Sequence, residues 1–389
     1  MTEPSSGLPT SARAKLRRPL SSEAEKPRGS AGARAAADTA SGIVSFVRRK
    51  IRASTIATLS NSEALADVTE WIPTGIPGLD EVLGGGWAVG RASEVFGETG
   101  SGKSALAHLA IRECQRMGGV AVLLDFETAL DKSKMKQLGI DSEALIYDVP
   151  EHLEAGWETV WAILDRVEEK PPEKPLLIVW DSIAASVPKE ELEVATDKSV
   201  IGLQARGMSR GCRRMFRRIS NLRAHMLWVN QERTKIGAYS PYGPVKESSG
   251  GDGPKYAASQ RVRCMRVKTL KDAAKQRATG YLIRSTVRKN RLAAPECSVA
   301  WVIDFKQGPS ADLTIFEELR SSGVVKTRGG KYRAPWEPET AFSRAEWSVL
   351  MRRAAFAAGA KKRYLEVVMG GGARAVQAAA AAEEDDEPV

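Results

Sequence analysis

One eight-residue segment restricts the folds open to this chain more than any other feature. It fits the phosphate-binding pattern G-x-x-x-x-G-K-[ST] and consists of Gly97, Glu98, Thr99, Gly100, Ser101, Gly102, Lys103 and Ser104. The glycines let the backbone direct its N–H groups at phosphates, and the helix predicted to follow adds a positive N-terminal end. Lys103 is expected to reach the β- and γ-phosphates, and the Ser104 hydroxyl to bind Mg²⁺. Because an apolar strand precedes the segment, we interpret it as an ATP-binding loop and not as a chance Gly-rich turn.

Apolar runs of strand length alternate with helical segments through the middle of the chain. The runs comprise residues 91–96, 120–124, 176–180 and 226–229. They are apolar throughout, which is typical of parallel strands covered on both faces. The alternation predicts an α/β fold with a largely parallel central sheet flanked by helices.

Polar side chains follow three of these runs, namely Glu127, Asp181 and Gln231. In an open parallel sheet, ligands bind beyond the carboxyl ends of the strands. Asp181 is expected to hold the Mg²⁺ shell, Glu127 to orient or deprotonate the attacking water, and Gln231 to sense the γ-phosphate. Each could instead be a strand-end cap, but together they favour ATP hydrolysis over binding alone.

Composition supports a soluble protein with a polyanionic partner. Lys and Arg number 58 against 48 Asp and Glu, a net charge of +10, which is a weak hint of nucleic acid. The four cysteines form no CxxC pair, so a zinc module is not expected and a reduced, cytoplasmic compartment fits best.

Two segments are candidates for contacting DNA. The first is a helix after residue 202, on which Arg206, Arg210, Arg213 and Arg217 share one face without interleaved acidic residues. Because like charges at this spacing repel, either the arginines form a solvated face or an anionic partner offsets the repulsion.

The second segment is the long loop at residues 232–249, directly after Gln231. Loops of this length in a compact domain are usually functional or disordered. Phosphate contacts are expected from Arg233 and Lys235, and base stacking from Tyr239 and Tyr242. Gly250 and Gly251 would let the backbone approach a DNA strand, and the link to Gln231 predicts coupling between ATP state and DNA affinity.

Several ordered motifs between residues 70 and 335 resemble the RecA recombinase family. They are residues 126–131, 179–185, 230–231, 249–255 and 288–295. The resemblance implies that Glu127 is the catalytic glutamate and that Ser209 and Arg213 contact phosphates. It also implies that Lys289 and Arg291 act in trans on the ATP of a neighbouring subunit. Lys134 stands where bacterial members carry an adenine-stacking tyrosine, so base recognition is expected to differ.

The resemblance implies an ATPase that binds single-stranded DNA as a head-to-tail filament and exchanges strands with homologous duplex in recombinational repair. An open filament is expected, and a closed ring is the alternative. The alternatives are a KaiC-like ATPase and a scaffold with little catalysis. A single phosphate-binding loop argues against the first, and the presence of both Glu127 and Asp181 argues against the second.

Five parts are expected along the chain. Residues 1–41 form a disordered basic leader, and residues 42–69 carry an amphipathic helix from Gly42 that serves polymerisation. Residues 70–335 form the ATPase core. Residues 336–382 form a small helical region in which Ser343 and Glu346 fit a capping box, and residues 383–389 form an acidic tail.

Overall fold

The computed structural model describes residues 31–51, 56–57, 68–193, 202–234, 246–271 and 277–370. The expected leader up to residue 30, the acidic tail, and the loop residues Lys235, Tyr239 and Tyr242 lie outside the described residues. The chain divides into two compact units, Met1–Leu65 and Ala66–Val389. No helix within the described ranges combines the length and the apolar character needed to cross a bilayer.

In the first unit, helix α1 spans Ala31–Lys50 and therefore begins well before Gly42. This corrects the expected start of the helix and the expected end of the disordered leader. The added turns are rich in alanine, which has the highest intrinsic helix propensity. Ile43 and Phe46 on α1 are each 55 % exposed.

The second unit contains all other described elements. Its strands are β1 (Trp71–Ile72), β2 (Trp87–Ala88), β3 (Ala92–Gly97), β4 (Val120–Asp125), β5 (Leu145–Asp148), β6 (Leu176–Asp181), β7 (Ala224–Thr234), β8 (Lys246–Ser248), β9 (Gln260–Lys271), β10 (Ala278–Asn290), β11 (Ser298–Asp304), β12 (Gly308–Ser310), β13 (Lys326–Arg328), β14 (Lys331–Ala334) and β15 (Glu337–Phe342). Its α-helices are α2 (Pro77–Leu83), α3 (Lys103–Arg116), α4 (Lys132–Gln137), α5 (Leu153–Glu169), α6 (Lys189–Glu193), α7 (Leu203–Asn221), α8 (Asp252–Ala257), α9 (Ala311–Ser321), α10 (Arg344–Leu350) and α11 (Ala354–Gly370).

A ten-stranded sheet, counted over the described residues, forms the centre of this unit, with the order β12-β11-β10-β9-β3-β7-β6-β4-β5 and β8 beside β7. The run from β9 through β5 is parallel, and β8, β10, β11 and β12 pair antiparallel. The prediction of a largely parallel α/β sheet flanked by helices is confirmed. Register places Asp125 beside Asp181 and Gly97 beside Gln231, so the polar strand ends meet at one edge.

Both faces of the parallel strands are buried, which explains their uninterrupted apolar sequences. One face packs against α3 through residues such as Val95, Leu123 and Val179. The opposite face, with Val122 and Trp180, packs against α5 and α7. Burial of this kind contributes roughly 25 cal/mol for each Å² of apolar surface, so the sheet is a rigid support for the loops at its edge.

The region after α9 is not purely helical and does not begin at residue 336. A separate apolar cluster already includes Ile315 and Phe316 of α9, and it continues to Tyr364 of α11. It also packs against the three-stranded sheet β13-β14-β15. These strands are short and largely polar, so no apolar alternation marks them in the sequence. The capping box of Ser343 and Glu346 is present at the start of α10.

Candidate functional site

The glycine-rich loop joins the end of β3 to the start of α3. Gly102 precedes the helix in the left-handed region, with φ +88°, and Gly97 has φ +153°. A Cβ added at Gly97 would lie 2.1 Å from the carbonyl oxygen of Cys264 on β9. The loop can therefore follow this path only with glycine at these positions, and it ends at the N-terminus of α3, where the backbone N–H groups of a helix favour an anion.

Lys103 is held inside this loop. It is only 8 % exposed, and its Nζ donates a 2.7 Å hydrogen bond to the carbonyl oxygen of Glu98. Burial lowers the pKa of Lys103, since a desolvated ammonium is disfavoured. A phosphate group on the loop would add negative charge beside this buried cation.

Asp181 and Ser104 lie together beside Lys103. Burial raises the pKa of Asp181 to about 7, although the nearby Ser104 hydroxyl acts to lower it. The Oδ1 atom of Asp181 is buried and has no hydrogen-bond partner among the described residues. A buried carboxylate oxygen beside a serine hydroxyl suits Mg²⁺, which prefers oxygen ligands, and a cation there would remove the cost of the buried charge. These two residues therefore fit the ion.

Glu127 lies where the ends of three strands converge. Its Oε1 atom accepts a 2.6 Å hydrogen bond from the Ser182 hydroxyl and a 2.9 Å hydrogen bond from the Gln231 side-chain amide. The structure thus brings Glu127 and Gln231 into contact, although they are 104 positions apart in the sequence. Their catalytic and sensing roles remain predictions.

Asp125 supports this site and was not among the predicted site residues. Its Oδ1 atom accepts from the backbone N–H of Glu127 at 3.1 Å. Its Oδ2 atom accepts from the N–H of Leu130 at 3.2 Å and from the Tyr147 hydroxyl at 3.1 Å. Asp125 thereby fixes the segment that carries Glu127. Its position directly after an apolar strand was a usable signal, whereas nothing local in the sequence connects Tyr147 to the site.

Asn230 connects the sensor to its surroundings. Its side-chain amide donates 2.8 Å hydrogen bonds to the Glu94 carboxylate and to the carbonyl oxygen of Ser249. Its Oδ1 atom accepts from the backbone N–H of Gln231 at 2.9 Å. The backbone of the sensor is therefore tied both to β3 and to the end of the second loop.

Lys289 and Arg291 do not join the phosphate loop of their own chain. Lys289 pairs across β10 and β9 with Arg261, which is level with Glu94 on β3. That level is three residues before Gly97, or about 10 Å along the strand. Both side chains instead bind the carbonyl oxygen of Tyr256 at the end of α8, each at 3.2 Å. Burial, together with neighbouring Arg291 and Arg261, lowers the pKa of Lys289 to about 8. A role in trans remains a prediction for both residues.

Helix α7 exposes the arginine face expected from its sequence. Met208, Cys212, Met215 and Ile219 are buried, and the exposed arginines opposite them are Arg206, Arg210, Arg213 and Arg217. Within the described part of the chain, none of these four makes an ion pair, whereas Arg218 binds Asp165 and Glu168 of α5. Ser209 lies at the edge of the arginine face, against Gly253.

The second candidate DNA segment begins as a β-hairpin. Strand β7 continues beyond Gln231 to Thr234 and pairs there with β8, and Arg233 on this stem is exposed. Gly250 and Gly251 have positive φ, and a Cβ on them would lie 2.5 Å from Ile183 and 2.6 Å from Ala205. Glycine is thus required here by packing inside the protein, and close approach to DNA remains a prediction.

Comparison with known proteins agrees with this arrangement. The family described as the RecA N-terminal domain matches residues 41–310. The chain is 35 % identical over 261 residues to Protein RecA of Paenarthrobacter aurescens, covering 67 % of this chain and 72 % of that protein. It is 34 % identical over 271 residues to Protein RecA of Thermotoga maritima, covering 69 % and 73 %. With Protein RecA of a Nocardioides species the identity is 36 % over 264 residues, covering 68 % and 73 %. The sheet, the glycine-rich loop at its edge and these matches show that the chain belongs to the RecA family.

Proposed function

We propose that this protein is an ATP-dependent DNA recombinase that acts in the cytoplasm. It binds single-stranded DNA as a filament and promotes homologous pairing and strand exchange with duplex DNA during recombinational repair. One observation carries the proposal. Strand β7 holds Gln231 against Glu127 and then continues without a break into the hairpin that begins the second DNA segment.

ATP would bind with its phosphates on the N–H groups of the glycine-rich loop and on Lys103. Ser104 and Asp181 would hold Mg²⁺, which when bound neutralises charge on the phosphates. Glu127 orients a water molecule and takes its proton as the oxygen attacks the γ-phosphorus. The bond from the γ-phosphorus to the bridging oxygen breaks, so the products are ADP and phosphate.

Gln231 supplies the coupling. In the structure its side-chain amide donates to Glu127, and a γ-phosphate oxygen would compete for the same donor. A shift of Gln231 toward the phosphate releases Glu127 and moves the backbone that leads into the hairpin. By reciprocity, DNA bound on the hairpin favours the released state of Glu127.

Filament formation would complete the site. Lys289 lies level with Glu94 on β3, three residues before the phosphate loop of its own chain, which supports a role for it and for Arg291 on the ATP of a neighbouring subunit. Cations on the transferring phosphate stabilise the charge that develops in the transition state. Head-to-tail contacts of this kind produce helical filaments when they do not close.

Measuring ATP hydrolysis by the full chain with and without single-stranded DNA, at fixed low salt, tests this function. We expect strong stimulation by DNA, because DNA binding and release of Glu127 are linked. Strand exchange between a circular single strand and a homologous duplex should then require ATP. Hydrolysis indifferent to DNA would instead support the KaiC-like alternative, and no hydrolysis at all would support a scaffold.

The α7 arginines lead to a separate prediction about salt. Each lost phosphate contact reduces the slope of log affinity against log salt by about 0.7 for single strands. We expect Arg213→Ala to weaken binding of a labelled oligo(dT) and to reduce this slope by that amount. Arg218→Ala is the matched control, since Arg218 is bound to Asp165 and Glu168 and should leave the slope unchanged. Equal salt slopes for the unmodified protein, Arg213→Ala and Arg218→Ala would show that Arg213 on α7 does not contact DNA phosphates.

A further inference from the structure

Two arginines of β9 reach over β3 to the hairpin that carries the second DNA segment. In the sheet, β9 and β7 lie on opposite sides of β3. Arg263 nevertheless binds the Glu232 carboxylate on β7, with its Nε 2.9 Å from Oε1 and its Nη2 3.1 Å from Oε2. Arg261 lies over the Phe96 ring of β3, 4.5 Å from the ring centre, and its Nη2 donates to the Ser248 hydroxyl at 3.2 Å.

Both arginines hold the same rung of the hairpin. Glu232 and Ser248 are cross-strand partners in the β7–β8 pair, and Glu232 immediately follows Gln231. One arginine therefore fixes each strand of the hairpin at the first residue pair beyond the sensor. The contacts are also well shielded from solvent, since the Glu232 side chain is 6 % exposed and that of Glu94, the second partner of Arg261, is 0 % exposed.

We propose that Arg261 and Arg263 are positioning residues that hold the DNA-binding hairpin at a fixed angle to the sheet and thereby transmit the state of Gln231 to the DNA. A two-stranded hairpin without further packing is only marginally stable and could absorb a small shift at its base by bending. The bidentate contact of Arg263 with Glu232 prevents this because planar guanidinium–carboxylate pairs are directional as well as strong. A shift at Gln231 then turns the hairpin as a whole.

Arg261 adds a link to the face that the proposed function assigns to the neighbouring subunit. It pairs across the β9–β10 ladder with Lys289 and binds Glu94, which also accepts from Asn230 beside the sensor. The hairpin, the sensor and the candidate trans-acting cation thus share one cluster of charged and polar contacts. This inference rests on the proposed function, since it concerns how ATP controls the same DNA site.

The test compares charge reversals at the Glu232–Arg263 pair. Glu232→Arg, Arg263→Glu and the double reversal are purified as full chains, and their Kd for a fluorescein-labelled oligo(dT) is measured with a non-hydrolysable ATP analogue and with ADP. The readout is the Kd with ADP divided by the Kd with the ATP analogue. Any direct effect of the new charge on DNA affinity changes both Kd values equally and cancels in this ratio. We expect each single reversal to lower the ratio about tenfold, equivalent to about 1.4 kcal/mol of coupling, and the double reversal to restore most of it.

Arg266→Glu is the matched control. It makes the same charge change on the same strand, but Arg266 lies over the Tyr281 ring of β10, 4.9 Å from the ring centre. The control should keep the ratio of the unmodified protein. Single reversals that keep the ratio, or a double reversal no better than the two singles combined, would overturn the proposal.

Hydrogen exchange separates failure of this proposal from failure of the proposed function. If the unmodified protein shows no difference between the ATP analogue and ADP, the recombinase function itself fails. The backbone amides of β8 still report whether the two arginines hold the hairpin, because the exchange of these amides can be followed without DNA. We expect faster exchange in each single reversal and recovery in the double reversal, and unchanged exchange in the single variants would show that the arginines do not hold the hairpin.

Discussion

Glu127→Gln should bind ATP as the unmodified protein does and hydrolyse it roughly 10²–10⁴ times more slowly, the usual contribution of a general base. The amide has nearly the size and shape of the carboxylate, and its oxygen can still accept from Ser182 and Gln231. It cannot take a proton from water. Single-turnover hydrolysis with saturating single-stranded DNA, beside binding of a fluorescent ATP analogue, measures the two effects separately.

Ser182→Ala distinguishes the effect of the Glu127 carboxylate itself from the effect of its orientation. It keeps the carboxylate but removes the 2.6 Å hydrogen bond that orients it. A partial loss of turnover is expected, smaller than that of Glu127→Gln and without loss of ATP binding. Glu168→Gln on α5, where the carboxylate is 66 % exposed, serves as a control for loss of an acidic side chain. Turnover that survives in Glu127→Gln would show that another group activates the water.

The strand ends explain why much of the candidate site could be predicted from sequence. A parallel strand buried on both faces leaves an apolar run, and the first polar residues after it mark the edge of the sheet. Asp181 and Gln231 were predicted as site residues in this way. The contact between Gln231 and Glu127 was not predicted, because it depends on β4, β6 and β7 being neighbours, and no local sequence pattern indicates the strand order.

Contacts between side chains on different strands of the sheet could not be predicted from local sequence patterns. Arg263 and Glu232 are 31 positions apart and lie on strands separated by a third, so neither segment indicates the other. Tyr147 likewise meets Asp125 only because β5 pairs with β4. The C-terminal sheet was missed for a different reason. Its strands are short and polar, and part of the apolar cluster that buries it comes from α9, which precedes the expected boundary.

Lys103→Ala should weaken ATP binding by at least about a hundredfold, the larger end of what a charge-assisted hydrogen bond contributes. The ammonium is the one cation that the glycine-rich loop itself places at the phosphate positions, and it is held ready by the Glu98 carbonyl oxygen. Alanine leaves the loop backbone intact, so the loss measures the charge and not the fold. Titration with a fluorescent ATP analogue gives the affinity directly.

Thermal unfolding then distinguishes loss of binding from loss of structure. Without nucleotide, Lys103 is a buried cation whose charge costs desolvation, as its lowered pKa reflects. Its replacement should therefore leave the Tm of the nucleotide-free protein unchanged or slightly higher. Added ATP and Mg²⁺ should raise the Tm of the unmodified protein and of the control Lys136→Ala, an exposed lysine on α4, but not that of Lys103→Ala. A lower Tm of Lys103→Ala without nucleotide would mean that Lys103 stabilises the loop. A normal rise in its Tm with ATP and Mg²⁺ would mean that Lys103 does not bind phosphate.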